Sequence, residues 1–515
     1  MAQGVLSYQY QEEASDSGMT AWAGLPLFLD LAQAAGLWDS VSRHVTVRAG
    51  YRGWSDAQTV MSLVLLNLVG GSGVSDIRIL EGDRGLGEVL RTAETAGLTR
   101  QERQSLKKKR RKQLKRGEQS RNFPSESAIF RYLARFHDPE QEELRADAEK
   151  AFIPKANEHL KGLGQVNTEL VKFVQSRSPQ TQATIDTDAT LIETDKREAL
   201  FCYKGFKAYQ PLNSYWAEQE LVLLSEFRDG NVPAGYQQLR VFRESLDALP
   251  EGVERAFHRS DSAGYQIDLM KYCAEGRSER FGVIDFAISA DVTDSFKNAV
   301  AEAEPSEWKP LYREYEDGMR LKTGQEWAEV CYVPNWAGYS KNGPTYRFLA
   351  IREPLRQLDI PGIDAQRELP FPTIDYGEND RYKLFGVVTN RDIPGAELIW
   401  WHRARCGKSE EVHAVMKDDL AGGYLPSGDF GENAAWWAVM ILAFNLNSAM
   451  KRLVLGGSWA RKRMKAIRFS IINLPGRVLH HARQLIVRLT HNHPSNKILF
   501  AARTRVLQLA RGPSG

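Results

Sequence analysis

Three observations predict an α/β chain whose chemistry sits on a mixed sheet. The first is an alternating, β-branched stretch, Ala183–Thr194, that carries two aspartates on one face. The second is a succession of further strand patterns after it, then helix and strand in turn as far as Ser289. The third is a change of period near residue 175, before which the apolar residues recur at helical spacing.

The alternation over Ala183–Thr194 places Thr184, Asp186, Asp188 and Thr190 on one side and Ile185, Thr187, Ala189 and Leu191 on the other. Aspartate is disfavoured inside strands. Two carboxylates on one face also repel unless a cation stands between them or one takes a proton. An edge strand with a wet face is the plainer explanation. The sharper one is the first carboxylate of a divalent-metal site, because misfit residues mark functional positions.

At 515 residues the chain exceeds one ordinary core, so two to four domains are expected. With 42% hydrophobic and 26% charged residues it has a globular composition rather than a disordered one. The longest uncharged apolar run, Ala434–Leu446, has 13 residues, short of the roughly 18 that a spanning helix needs. No basic segment followed by an apolar one stands near Met1, so no secretory signal is expected. Cys202, Cys273, Cys331 and Cys406 form no CxxC pair. The expectation is a soluble protein of a reducing compartment, the cytoplasm.

Net charge is +3, but its distribution is uneven. Residues 450–515 hold 14 Lys or Arg and no Asp or Glu, leaving 54 basic against 65 acidic residues in 1–449. A second basic block, Leu106–Arg116, interrupts the N-terminal half. By itself that block is as well explained by a solvated loop. An acidic body with two basic segments points to a polyanion, and nucleic acid is the better choice.

Before residue 175, helices are expected over Pro26–Leu37, Trp54–Val69 with Ser55 as N-cap, Val74–Glu81, Glu88–Thr95 and a Ser125-capped segment. After β-branched Ala183–Thr194 come strand patterns at Phe206–Ala217 and Leu221–Arg228, helix at Gln237–Leu249, then Asp261, helix at Gly264–Glu275 and strand at Phe281–Ser289. This β-β-β-α-β-α-β order, with antiparallel opening strands, is that of a ribonuclease-H-type sheet. Trp327–Val333, Tyr346–Arg352 and Tyr382–Thr389 then read as a mainly β insertion. A helix capped by Asp392 is expected from Pro394 towards Leu420, with a possible break at Gly407. Ala434–Leu453 reads as a further apolar helix, and Arg477–Leu489 as a helical part of the tail. The expected organisation is a helical, DNA-binding N-terminal domain at 1–175, the first part of the catalytic core at 176–290, the β insertion at 291–390, the last part of the core at 391–455 and a basic helical tail at 456–515.

Three acidic positions stand out: the Asp186/Asp188 pair, Asp261 at a strand end before a Gly-led helix, and Glu410 or Glu411 in the Trp400–Leu420 helix. On a continuous helix Arg403, Glu410 and Lys417 share a face. Two strand aspartates and a helix glutamate can hold two divalent cations, which activate a hydroxyl nucleophile and stabilise the leaving oxygen of a phosphodiester. Oxygen ligands suit Mg2+, with Mn2+ as substitute. His258 and His402 have no metal-ligand spacing with any cysteine, so Zn2+ is not expected. A glycosidase also uses paired carboxylates, but the cationic tail has no purpose on a neutral sugar.

The motifs TIDTDATLIET, KGFKAYQPLNSYW, LRVFRESL, FHRSDSAGYQIDL, LIWWHRARCGKSEEVHAVMK and ENAAWWAVMILAFNLNSAMKRLV resemble the bacterial insertion-sequence transposases with a DDE catalytic domain. More narrowly, the resemblance is to DDE group 1, the insertion-sequence family thirteen-eighty, and runs from about Gly24 to Val487. It implies a ribonuclease-H-like core, two Mg2+ ions, nicking at element ends and strand transfer by the freed 3′-hydroxyl. The partner is then double-stranded DNA, as transposon ends and target, and the active assembly a homodimer that cuts two ends together. The resemblance places the catalytic and metal-binding acids at Asp188, Asp261 and Glu410, with Asp186 and Glu411 as alternatives. DNA contacts fall to Arg405, Lys417, Arg461, Lys462, Arg463 and Lys465. His402 stands where the family signature has Tyr, and Arg405 is one residue further from Glu410 than in that signature. A metal-dependent nuclease without strand transfer shares this chemistry, and a non-catalytic DNA-binding relic would keep the tail alone.

Overall fold

Strand β1 (Gln182–Ala189) forms where the chain alternates, and a large sheet grows outward from it on both sides. The computed structural model describes the chain outside residues 1–10, 12–17, 49–52, 96–97, 116–120, 316, 335, 337–345, 356–369, 377–379, 483 and 512–515. It divides into two units, residues 144–154 with 178–414, and residues 1–143 with 155–177 and 415–515.

The first unit is built on the sheet. β2 (Leu212–Trp216) and β3 (Leu221–Glu226) follow β1 as an antiparallel meander, with Ile185 opposite Trp216 and Asp188 opposite Asn213. Helix Gln238–Asp247 then returns the chain to β4 (Arg255–Ser260), which lies parallel to β1 on its other side. Helix Ile267–Ala274 leads to β5 (Asp285–Ala290), parallel to β4. The order β3-β2-β1-β4-β5 therefore realises the β-β-β-α-β-α-β pattern of the sequence. Central strands buried on both faces require apolar side chains, and Ile185, Trp216, Phe286 and Ile288 are fully buried.

Residues 291–390 continue the same sheet. β6 (Lys309–Glu314), β7 (Arg320–Val330), β8 (Arg347–Pro354), β9 (Thr373–Asp375) and β10 (Arg381–Thr389) are antiparallel, and β10 pairs with β5 through Gly386↔Ala290 and Thr389↔Ala287. Helix Gly395–Arg403 packs on this half through Leu398 and Ile399, against Ala287, Leu349, Ile351 and Val387. Only glycine fits at 395, since an added Cβ would stand 2.2 Å from the Trp327 ring. The N-cap of that helix is Pro394 rather than Asp392.

The expected helix from Pro394 to Leu420 is not continuous. Gly407 takes φ +75°, and a second short helix, Lys408–Ala414, starts after it. Val415–Asp419 then winds as a π turn. A left-handed residue redirects the chain, so the seven-residue face of Arg403, Glu410 and Lys417 does not exist.

The second unit is mostly helical. Helix Asp56–Val69 starts on Ser55 as expected, in a reciprocal capping box with Gln58. Helix Phe430–Ala449 is mostly apolar and buried around nearly its whole circumference, as a core helix is. Together with the next turn, Phe430–Leu455 is long and apolar enough to cross a membrane, but its apolar window is 78% buried within the protein. Buried Asn445 is satisfied by donating to Asn167 on helix Glu158–Arg177, 2.7 Å away. Leu106–Lys115 continues helix Arg100–Lys115, while the side chains at 107 and 109–116 lie outside the described residues.

The basic tail is where the sequence expectation fails most clearly. Arg477–Leu489 is not helical: Gly476–His481 and Gln484–Leu489 form a hairpin that pairs with Met19–Thr20. Its alternation, with Val478 buried between exposed Arg477 and half-buried Leu479, has the period of a strand. Helix Ser495–Ala510 comes next, and both belong to the helical unit together with residues 415–455.

Candidate active site

The C-terminal ends of β1 and β4 position the first two acids. In the parallel register Asp186 pairs with Arg259 and Thr187 with Ser260, so the next pair along is Asp188 and Asp261. Neighbouring strands lie about 4.8 Å apart. The two carboxylates consequently share one end of the sheet, where α/β folds expose functional groups. Both line a cavity of about 480 Å³ with Ala189, Phe201, Cys202, Tyr203 and Gln210.

The four charged residues of this ladder behave differently in pairs. Asp186 is buried and holds Arg259 by a two-pronged ion pair, Nε to Oδ1 at 2.6 Å and Nη2 to Oδ2 at 2.7 Å. Arg259 also donates to the Trp401 carbonyl at 2.7 Å. Asp188 has a weaker partner, Arg405, whose Nη1 reaches Oδ2 at 3.1 Å, and a hydrogen bond from Ser409. Burial, reinforced by the Asp261 carboxylate, pushes the Asp188 carboxyl up to about 6 against the attraction of Arg405. Asp261 turns one oxygen to the Ala263 amide, 3.0 Å away, and so caps the turn Ser262–Gly264.

Glu410 does not join this pair. It is exposed on helix Lys408–Ala414, and half-buried Glu411 stands 3.9 Å from Lys408. Among the described residues no three His, Cys, Asp or Glu side chains stand together as a metal-binding group. The pair Asp188 and Asp261 fits a divalent cation on chemistry: two oxygen donors in a cavity, one of them costly to ionise without a counter-charge. The helix bearing Glu410 is nevertheless held at the site one residue earlier, through Ser409 on Asp188.

Several neighbours carry signals that residue-by-residue reading missed. Arg259 lies two residues before Asp261 on the same strand face, and only the β1–β4 register pairs it with Asp186. Asn213, opposite Asp188, accepts from Ser225 at 2.6 Å and lies 3.4 Å from the His413 ring. His402 is buried, and its Nε2 donates to the Ser260 carbonyl at 3.1 Å, just before Asp261. Burial holds this imidazole down to about 4, and His258 down to about 3, so both are neutral at physiological pH.

The residues assigned to DNA fall into three groups. Arg405 is buried against Asp188 rather than presented to solvent. Arg461, Lys462, Arg463 and Lys465 are exposed in the helical unit, with Arg463 also 3.2 Å from Asp419. Lys417 is half-buried in the π turn of the same unit. Arg468 serves the fold: it donates to the carbonyls of Leu68 and Asn67, both at 2.8 Å.

The family model described as transposase DDE domain group 1 matches residues 17–511. A solved piggyBac transposase synaptic complex with hairpin DNA aligns with 87% of this chain and 79% of its own, at 10% identity and a TM-score of 0.40. No curated protein matches it in sequence. The match over residues 17–511 means that the chain belongs to the group 1 DDE transposase family, whose members generally use divalent metal ions.

Proposed function

We propose that this member of the group 1 DDE transposase family is a metal-dependent DNA transposase of a bacterial insertion sequence, cleaving element ends and joining them to target DNA through the 3′-hydroxyl. The observation that carries the proposal is the side-by-side placement of Asp188 and Asp261 at the ends of adjacent parallel strands in one cavity. The strand order β3-β2-β1-β4-β5 supports a ribonuclease-H-like core around them. Asp186 is engaged by Arg259, which favours Asp188 as the first catalytic acid.

Asp188 and Asp261 would hold Mg2+ or Mn2+, and Glu410, with Glu411 as the alternative, would serve as third donor only by moving in from the position described above. When bound, such ions activate a water or 3′-hydroxyl and stabilise the leaving oxygen of a phosphodiester. Arg405 and Ser409 orient the Asp188 carboxylate. His402, with its proton on Nε2, holds the strand end that precedes Asp261. Arg461, Lys462, Arg463, Lys465 and Lys417 would neutralise DNA phosphates, and a homodimer would cut two ends together in the bacterial cytoplasm, at the nucleoid. The test is incubation with Mg2+ and DNA carrying the element's inverted repeats. Excised and joined products support transposition, cleavage without joining reduces the protein to a nuclease, and no cleavage under any divalent ion returns it to a DNA-binding role.

A further inference from the structure

We infer that the tip of the hairpin Leu200–Phe201/Lys207–Tyr209 is a stacking platform for an unpaired nucleobase of the DNA strand engaged at Asp188 and Asp261. This assignment rests on the transposase reading for its ligand class and adds a binding site to it. Leu200 pairs with Ala208 and Phe201 with Lys207, and Gly205, at φ +84° with its amide on the Cys202 carbonyl at 2.9 Å, closes the turn. That turn leaves Tyr203 and Lys204 at its apex. Cys202 points inward and is buried, whereas Phe201 is 62% exposed and Tyr203 77% exposed.

Single exposed apolar side chains need no explanation. Here two aromatic rings stand on one tip, and both line the cavity that contains Asp188 and Asp261. Its volume, about 480 Å³, lies within the range of sites that hold small organic groups. Cations accompany the rings: Lys204 Nζ is 5.7 Å from the Tyr203 centroid and Lys207 Nζ 6.0 Å from that of Phe201.

The stem beneath is tied down by buried contacts, which hold the tip at the cavity. Buried Arg145 grips Asp229 at 2.9 and 3.1 Å and the Glu198 carbonyl at 3.1 and 3.2 Å. Gly230 donates to the Ala208 carbonyl at 2.9 Å, and a Cβ there would come within 2.5 Å of that oxygen. Tyr209 stacks on Phe227 at 4.9 Å. A tied-down stem, exposed rings and flanking lysines are what a base and its phosphate require. Within a duplex each base already has neighbours on both faces, so the ligand is an unpaired nucleotide.

The experiment uses the full chain and a short duplex with a single-stranded 3′ extension carrying 2-aminopurine, beside its blunt counterpart. Wild-type protein is expected to quench the fluorophore and to prefer the extended duplex. Tyr203→Ala should reduce that preference about 5- to 150-fold, the effect of losing one base–aromatic stack. Tyr203→Trp should retain it, with circular dichroism confirming that each variant folds. Absence of any preference in the wild type, or an unaltered preference in both Tyr203→Ala and the Phe201→Ala/Tyr203→Ala double variant, overturns the platform. Metal-dependent nicking of plasmid DNA is measured in parallel for wild type and Asp261→Asn. Nicking lost only in Asp261→Asn keeps the transposase reading even where the platform fails; nicking that survives Asp261→Asn sinks that reading instead.

Discussion

Asp186 and Asp188 lie on the same face of β1, two residues apart, yet the inner and outer ends of the β1–β4 ladder treat them in opposite ways. The inner carboxylate faces Arg259 across the register and is held by two short hydrogen bonds. The outer one faces Asp261, with Arg405 reaching only one of its oxygens. A buried charge with a two-pronged partner is neutralised and structural, whereas one beside a like charge remains in want of a cation. One strand thus supplies both a structural ion pair and the carboxylate proposed as catalytic.

The largest expected difference is in activity. Asp261→Asn should abolish cleavage, since it removes one of the two paired donors, while leaving DNA affinity nearly unchanged; a cleavage assay beside a binding titration reads both. Retained cleavage would falsify the assignment of the outer pair.

The inner pair is predicted to matter for stability instead. Asp186→Ala leaves Arg259 buried without its partner and should cost about 3–5 kcal/mol, measured by denaturant unfolding. Replacing both by apolar residues, as Asp186→Leu with Arg259→Met, should recover much of that loss. A double variant no better than the single one would mean that the Arg259 bond to the Trp401 carbonyl, not the ion pair, sustains this region.

At the outer end the expected effect is a dependence of stability on pH. The Asp188 carboxyl is raised from 3.8 to about 6 on folding, so the protonated form is the one the fold favours. Its stability contribution is fully present below the unfolded value of 3.8 and is lost as pH rises through about 6. Metal-free protein should therefore lose roughly 3 kcal/mol between those limits from this group, and Asp188→Asn should remove that pH dependence. Unfolding midpoints across the same pH range with identical slopes for both proteins would contradict it.

The smallest effects belong to the cations of the helical unit assigned to DNA. Replacing Arg461, Lys462 or Lys465 by Ala should each lower the slope of log affinity against log salt by about 0.9 per lost phosphate contact. Lys417→Ala is expected to weaken binding of end-containing DNA without altering the fold. An unchanged salt slope in all of these variants would move the DNA path off this surface.

Much of this was legible along the chain. Alternation set which face of β1 carries the acids, the run of periods set the strand and helix order, and Ser55 with Gln58 marked a helix start. Each depends on neighbours within a few residues, so local patterning is enough. Three matters needed the folded chain. Which of Asp186 and Asp188 takes the two-pronged ion pair depends on Arg259, 73 residues away and one strand over. The fate of the basic tail depended on partners such as Met19 and Asn67, which turned an expected helix into a hairpin and one arginine into a clamp. The aromatic tip became a feature only when the hairpin stem set Phe201 and Tyr203 beside Asp188 and Asp261. Periodicity fixes the direction a side chain takes from its own backbone; the group it meets there belongs to another part of the chain, and only packing brings the two together.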